Sequence, residues 1–271
     1  MSTANPNPAA FESPAAAGIA GFNFAESWQS LDPAPSPEVP NEENVNPLKD
    51  YFESHTSGHG IWKWNHYFDI YHRYFRKFVG KKTSILEIGI YSGGSLDMWR
   101  HYFGAGCEVY GIDVREACRV YEGDGKRIFI GDQANREFWR QFREQVPSLD
   151  IVIDDGGHRP EQQIVTLEET LPYLRPGGVY MCEDIHRIHN NFSAYIGGLI
   201  NHFNSTKVKI PASELISVPT AFQRDIHAIH SYPFAIVIER SASSVQEFVA
   251  PKHGTKWQPF LDNPQPATST A

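Results

Sequence analysis

Nowhere in this chain do about eighteen apolar residues follow one another, so no membrane-crossing helix is expected. Basic residues are outnumbered: 24 Lys and Arg stand against 32 Asp and Glu, a formal net charge of −8. No block of Lys and Arg stands out, which argues against a nucleic-acid partner. Cysteine is scarce. Cys107, Cys118 and Cys182 are an odd set at unrelated spacings, so a disulfide framework is not expected and a reducing, cytoplasmic compartment is. They read as small buried hydrophobes. The first residues, Met1-Ser2-Thr3-Ala4-Asn5-Pro6, lack a basic stretch followed by an apolar core, so no secretory signal is expected. Hydrophobic content, 41%, is slightly low for a globular chain, as when part of it is tail.

Proline and alanine are plentiful at the start. Residues 1–47 read as an extended or disordered arm, since Asp32-Pro33-Ala34-Pro35-Ser36-Pro37 suits neither helix nor central strand. Phe11, Phe22, Phe24 and Trp28 give that arm aromatics that can pack on the domain or on a second subunit, so a homo-oligomer built through the arm is expected. Residues 48–82 read as a helical cap. Within it, Tyr67, Tyr71, Tyr74, Phe75 and Phe78 share one face of a helix expected over 62–79. His55, His59 and His66 precede or start that helix without an HxxxH spacing, which speaks against a metal site there.

From residue 84 strands and helices alternate. Strands are expected at 84–88, 107–112, 127–130, 149–153 and 178–183, with helices at 94–103, 134–145, 160–172 and 191–204 and a helical turn near 115–119. That alternation predicts an α/β fold, a Rossmann-like doubly wound sheet that is mostly parallel. Right-handed crossovers place the strand C-terminal ends on one edge, where ligands bind. Two further strands, Ile226 to His230 and Phe234 to Ile238, are joined so closely that they must pair antiparallel. A parallel sheet closed by such a hairpin resembles the class I methyltransferases. The domain is expected to span 83–240, with a tail over 241–271.

The chemistry gathers at strand ends. Ile85-Leu86-Glu87-Ile88 runs into Gly89-Ile90-Tyr91-Ser92-Gly93-Gly94-Ser95, the form of strand, tight turn and helix start, where free N–H groups and a close backbone can meet a ligand. Asp113 ends the second strand, at the position of an acid that meets ribose hydroxyls. The fourth strand runs into Asp154-Asp155-Gly156-Gly157-His158, and the fifth into Glu183-Asp184-Ile185-His186. Neighbouring strands lie about 5 Å apart, so Asp155, Glu183 and Asp184 can converge. Three ionised carboxylates crowd together only around a cation, and oxygen ligands select a hard one such as Mg2+. Acids at strand ends also cap following helices, which is the bland alternative. His158, with an ordinary pKa of about 6.5, suits proton acceptance at neutral pH.

Taken in order, Glu87-Ile88-Gly89 with Gly93-Gly94-Ser95, Asp154-Asp155-Gly156-Gly157-His158, Arg175-Pro176-Gly177-Gly178, Glu183-Asp184 and Asp225 to Tyr232 resemble the metal-dependent sugar O-methyltransferases of macrolide biosynthesis, over roughly residues 55–240. The resemblance implies S-adenosylmethionine and Mg2+ or a similar divalent cation as cofactors, a small-molecule acceptor and a role in secondary metabolism. By motif it implies Asp155, Glu183 and Asp184 as metal ligands and His158 as general base. It places Glu87, Gly89, Tyr91, Ser95, Asp113 and Asp154 at the cofactor, with Asp132 and Gln133 by the adenine. That family usually shows an Asp-Lys pair before its first helix; here the chain reads Trp62-Lys63-Trp64, and the Pro-rich arm is unlike it too. The acceptor is therefore not carried over.

Two readings compete on the same fold. A carboxylate acceptor needs no base, and Lys63, Arg159 and Arg187 are then candidates to hold it. A non-catalytic scaffold would use the arms for assembly. A dinucleotide-dependent oxidoreductase fits less well, since Gly89-Ile90-Tyr91-Ser92-Gly93-Gly94 is not a clean G-x-G-x-x-G.

Overall fold

The computed structural model describes residues 13–27, 45–186, 190–205, 215–251 and 253–254. The chain divides into two units, Met1–Val45 and Asn46–Ala271. In the first, helix α1 (Pro14–Glu26) stands where an extended arm was expected. The local reason is capping: the Ser13 side chain accepts from Ala16 N, Pro14 opens the helix, and three alanines follow. The Asp32–Pro37 run, Phe11 and Trp28 lie outside the described residues.

The second unit opens with α2 (Pro47–Ser54) and α3 (Tyr67–Phe75), the latter continued by a 3-10 turn to Phe78. A single helix over 62–79 is not what forms: residues 61–64 have no regular secondary structure, and a turn at Asn65-His66 precedes α3. Asn46 ties the pair together. Its Oδ1 caps α2 by accepting from Leu48 N, and its Nδ2 donates to Phe68 O in α3 at 3.0 Å. Four of the five aromatics expected on one face, Tyr67, Tyr71, Tyr74 and Phe75, are buried.

The alternating region folds as β1 (Thr83–Ile88), α4 (Gly94–Phe103), β2 (Cys107–Asp113), β3 (Lys126–Ile130), α5 (Arg136–Gln145), β4 (Leu149–Asp154), α6 (Pro160–Thr170), β5 (Leu174–Cys182) and α7 (Asn191–Phe203). A 3-10 turn, Glu116–Tyr121, takes the place of a helix between β2 and β3. The short strand β6 (Leu215–Ser217) and helix α8 (Ala221–Asp225) precede the closing pair β7 (Ile226–Tyr232) and β8 (Ala235–Arg240). The seven-stranded sheet has the order β3-β2-β1-β4-β5-β8-β7, parallel except where β8 meets β5 and β7. This is the class I methyltransferase arrangement. In the expected tail, β9 (Phe248–Ala250) instead pairs antiparallel with β6.

Period-two alternation builds both faces. Ile85, Ile151, Ile153, Val179 and Met181 point to the side of α3 and α4, packing with Tyr71, Phe75, Trp99 and Phe103. Leu86, Val152, Tyr180 and Cys182 point to the other, against Trp139, Phe142, Leu167 and Phe192. Truncating any one of the fully buried rings, such as Trp99, to alanine costs about 3–5 kcal/mol. All three cysteines are buried and free. Among the described residues no helix is long and apolar enough to cross a membrane.

Register sets up the site. Ile88 pairs with Asp154, and Asp154 with Cys182. The next residues, Gly89, Asp155 and Glu183, therefore leave the sheet side by side at its C-terminal edge.

Candidate active site

Lys63 is the centre of that edge. Its Nζ donates to Asp155 Oδ2 at 2.6 Å, Glu87 Oε1 at 3.0 Å and Glu183 Oε2 at 3.1 Å, with 3% of the side chain exposed. Its neighbours Trp62 and Trp64 are exposed, while the Lys63 side chain between them in sequence is buried. Burial opposes the ammonium, but Asp155, then Glu183, Tyr71 and Glu87, outweigh it and hold Lys63 charged well above the ordinary lysine range. Burial pushes the Glu183 carboxyl up, against the pull of Lys63, and Asp155 is raised for the same first reason.

Glu183 spends neither oxygen on solvent: Oε1 accepts from the Tyr71 hydroxyl at 2.6 Å and Oε2 from Lys63. Asp184 is different. Its Oδ1 accepts from Trp64 Nε1 and from the Tyr67 hydroxyl, each at 3.0 Å. Its Oδ2 lies 3.7 Å from His186 Nε2 and 3.9 Å from His158 Nε2. Asp155, His158 and Asp184 bring ligand atoms within 4.8 Å of one another, as a metal ion requires. Glu87, Asp155, Glu183 and Asp184 are four carboxylates against one ammonium. The excess negative charge favours a second cation on the open side.

That open side is a cavity of about 920 Å³ lined by Trp62, Trp64, Gly89, Tyr91, Asp113, Asp155, His158, Asp184 and His186 among others. The β1–α4 loop lines it too, through Gly89, Ile90, Tyr91 and Ser92. Gly89 sits at φ +90, and a Cβ there would meet Asp155 O at 2.0 Å. The glycine thus lets the β1 and β4 loops touch, rather than only making room for a ligand. Asp113 Oδ2 accepts from Ile90 N at 3.0 Å and Tyr91 N at 3.3 Å, and Oδ1 from Arg115 N, which fixes the loop from across β2. Tyr91, His158 and Asp184 all take left-handed backbone, at φ +50, +54 and +53. Such strain gathers at ligand sites.

Several residues expected at the cofactor do not line this cavity. Glu87 is wholly buried, and its Oε2 accepts from Ser95 Oγ at 2.7 Å and Trp99 Nε1 at 3.0 Å. It anchors Lys63 and α4 and does not line the cavity, although Ser95 does. Gln133 turns inward, donating to Asp154 Oδ1 and Thr166 Oγ1 at 2.9 Å and accepting from Gly157 N at 2.7 Å. Asp132 is exposed and caps its own turn through Ala134 N. Neither lines the cavity. Asp154 is buried beneath it; burial pushes its carboxyl up to about 6, against the Gln133 hydrogen bond. His55, His59 and His66 hold separate partners: His59 O, Asp97 and Pro233 O. Arg159 is exposed and off the cavity, and Arg187 lies outside the described residues. Tyr67, Tyr71 and His186 had no expected role; their only signal was position, in the aromatic helix and just past Glu183-Asp184.

No protein-family model matches the chain. Over 124 residues, 42% of this chain and 30% of the relative, it is 36% identical to demethylmacrocin O-methyltransferase of Streptomyces fradiae. Over 122 residues, with the same coverage, it is 35% identical to mycinamicin VI 2''-O-methyltransferase of Micromonospora griseorubida. The match thus spans about a third of these curated relatives. A solved structure of the MycE methyltransferase from the mycinamycin biosynthetic pathway, in complex with Mg and SAH, superposes with a TM-score of 0.58 at 24% identity, covering 72% of this chain and 54% of that one. The chain therefore has the class I methyltransferase fold and is similar in sequence, over that shared segment, to O-methyltransferases named for macrolide substrates.

Proposed function

We propose that this chain transfers a methyl group from S-adenosylmethionine to a hydroxyl of a small-molecule acceptor, with a divalent cation such as Mg2+ at the acid edge. The observation that carries the reading is the meeting of Asp155, His158 and Asp184 on the wall of a cavity that the β1–α4 loop also lines. The donor set fits a hard cation: Asp155 and Asp184 supply the oxygens, and Lys63 and Tyr71 occupy Glu183. When bound, such a cation lowers the pKa of a coordinated hydroxyl.

The chain's own residues do the rest. Asp113 holds the Ile90–Tyr91 backbone for the cofactor end, and Gly89 keeps that loop against Asp155. His158 accepts the hydroxyl proton, with Asp184 Oδ2 3.9 Å from its Nε2. Transfer from a sulfonium is an in-line displacement, so alignment of acceptor, methyl and sulfur is the main task. Of the cations an ester-forming alternative would use, Lys63 is already held by three carboxylates and Arg159 lies off the cavity. Assembly into a homo-oligomer through the N-terminal arm belongs to the same reading, supported only by the aromatic residues of that arm.

Calorimetry on the full chain tests the core of it. S-adenosylhomocysteine should bind and NAD should not; no binding of the former sinks the reading. His158→Ala should slow single-turnover transfer by about 10²–10⁴-fold while the affinity for S-adenosylhomocysteine stays. Full turnover in excess EDTA would remove the cation from the scheme.

A further inference from the structure

The cavity's acid corner is walled by Trp64 and His186 beside Asp184. Trp64 is 49% exposed, yet it is fixed: its Nε1 donates to Asp184, and its ring lies 5.3 Å from that of Phe234. His186, also on the cavity wall, has its ring 5.4 Å from Phe234 on another side. Phe234 is therefore the common support of both.

Phe234 is a costly choice for that place. It follows Pro233 in the two-residue turn between β7 and β8, at φ +63, where a turn of this kind asks for glycine. It is 41% exposed, so core packing does not repay the strain. The turn is pinned to the acid edge nonetheless. Pro233 O pairs with His66 Nε2 at 3.0 Å, and Phe234 O accepts from Ile185 N at 3.0 Å with the Tyr67 hydroxyl 3.1 Å away. A strained aromatic held open beside a catalytic corner points to ligand contact.

We propose that Trp64 is the stacking face for the acceptor and that Phe234 is the positioning residue behind it, so that the acceptor bears its hydroxyl on a ring with a flat apolar face. This rests on the methyltransferase reading above. Aromatic rings and the C–H face of a pyranose share that chemistry, and an acyclic polyol lacks it.

The test uses the full chain saturated with S-adenosylhomocysteine and Mg2+, and measures binding of catechol, methyl β-D-glucopyranoside and glycerol by calorimetry and ligand-observed NMR. One of the two ring probes should bind, which identifies the source of the ring, and glycerol should not. Trp64→Met should weaken the ring probe by about tenfold, the loss of one ring-face contact. Trp64→Phe keeps a flat face but loses the N–H to Asp184, and should retain most of the affinity. Phe234→Gly relieves the backbone strain, so it should weaken the ring probe without lowering the melting temperature. Unchanged ring affinity in Trp64→Met, equal losses in Trp64→Met and Trp64→Phe, or no ring binding by the wild type would overturn the proposal. Failure of S-adenosylhomocysteine itself to bind would instead defeat the methyltransferase reading, and this one with it.

Discussion

Replacing Lys63 by methionine keeps the length of the side chain and removes its charge. Three carboxylates, from Glu87, Asp155 and Glu183, then face one another without the ammonium they share at 2.6–3.1 Å. Removing one partner of a buried ion pair costs about 3–5 kcal/mol, because the remaining charge is left uncompensated. For a domain of this size 1 kcal/mol moves the melting temperature by about 2–4 °C, so a fall of about 6–20 °C is expected. Urea titration and thermal melting in EDTA measure it. Adding Mg2+ should restore more stability to Lys63→Met than it adds to the wild type, since the ion then meets a more negative site. The double variant Lys63→Met with Glu183→Gln should be more stable than Lys63→Met alone, because one of the stranded buried carboxyls is replaced by a neutral amide. A melting temperature within about 2 °C of wild type, or strictly additive losses in the double variant, would refute the internal counter-ion.

Gly89→Ala and Gly80→Ala separate strain from space. Both sit at positive φ, but a Cβ at Gly89 meets the Asp155 carbonyl and one at Gly80 meets nothing within 4 Å. Gly80→Ala should cost about 1 kcal/mol and Gly89→Ala about 4 kcal/mol or more in urea titrations; equal losses would contradict the close approach of the two loops. Asp97 gives a pH test. Burial raises its carboxyl, but Lys126 and His59 outweigh that and hold it below the ordinary value. A depressed folded pKa adds stability above the unfolded pKa, about 3.9, and that stability is lost as pH falls through the folded value. Asp97→Asn should therefore be less stable than wild type at pH 7 and approach it near pH 3; a difference that grows in acid would count against the pairing.

Strand ends were legible in the sequence because their cause is local. An apolar run that stops at an acid or a glycine marks where the chain leaves the sheet, and β1, β2, β4 and β5 end within a residue of expectation. The side-chain directions beyond those ends were not local. Gln133 turns inward because Asp154 and Thr166 are buried and need a donor. Glu87 turns inward because Ser95 and Trp99 of the next helix reach it. Lys63 meets partners 24, 92 and 120 residues away, and no periodicity governs an irregular segment. The Trp62-Lys63-Trp64 alternation was visible, but which of the three side chains is buried depends on carboxylates distant in sequence.

Motif order says which carboxylates reach the edge; hydrogen bonding says which of them are left to face a cation. Glu183 and Asp184 are adjacent in sequence and opposite in circumstance. Glu183 holds Tyr71 with one oxygen and Lys63 with the other, within a side chain 1% exposed. Asp184 Oδ2, on the cavity wall, makes no hydrogen bond among the described residues; His186 Nε2 lies 3.7 Å from it. Exchange of each for its amide should therefore divide the two functions. Glu183→Gln should lower stability in urea with Mg2+ affinity within about threefold of wild type, because the amide leaves the cation-facing pair intact. Asp184→Asn should leave most of the stability and weaken Mg2+ by about tenfold or more, since it removes a charged oxygen donor from that pair. Calorimetric Mg2+ titrations at fixed S-adenosylhomocysteine would read both. The reverse outcome, with affinity lost in Glu183→Gln and kept in Asp184→Asn, would mean that Lys63 yields Glu183 to the ion when the ion binds.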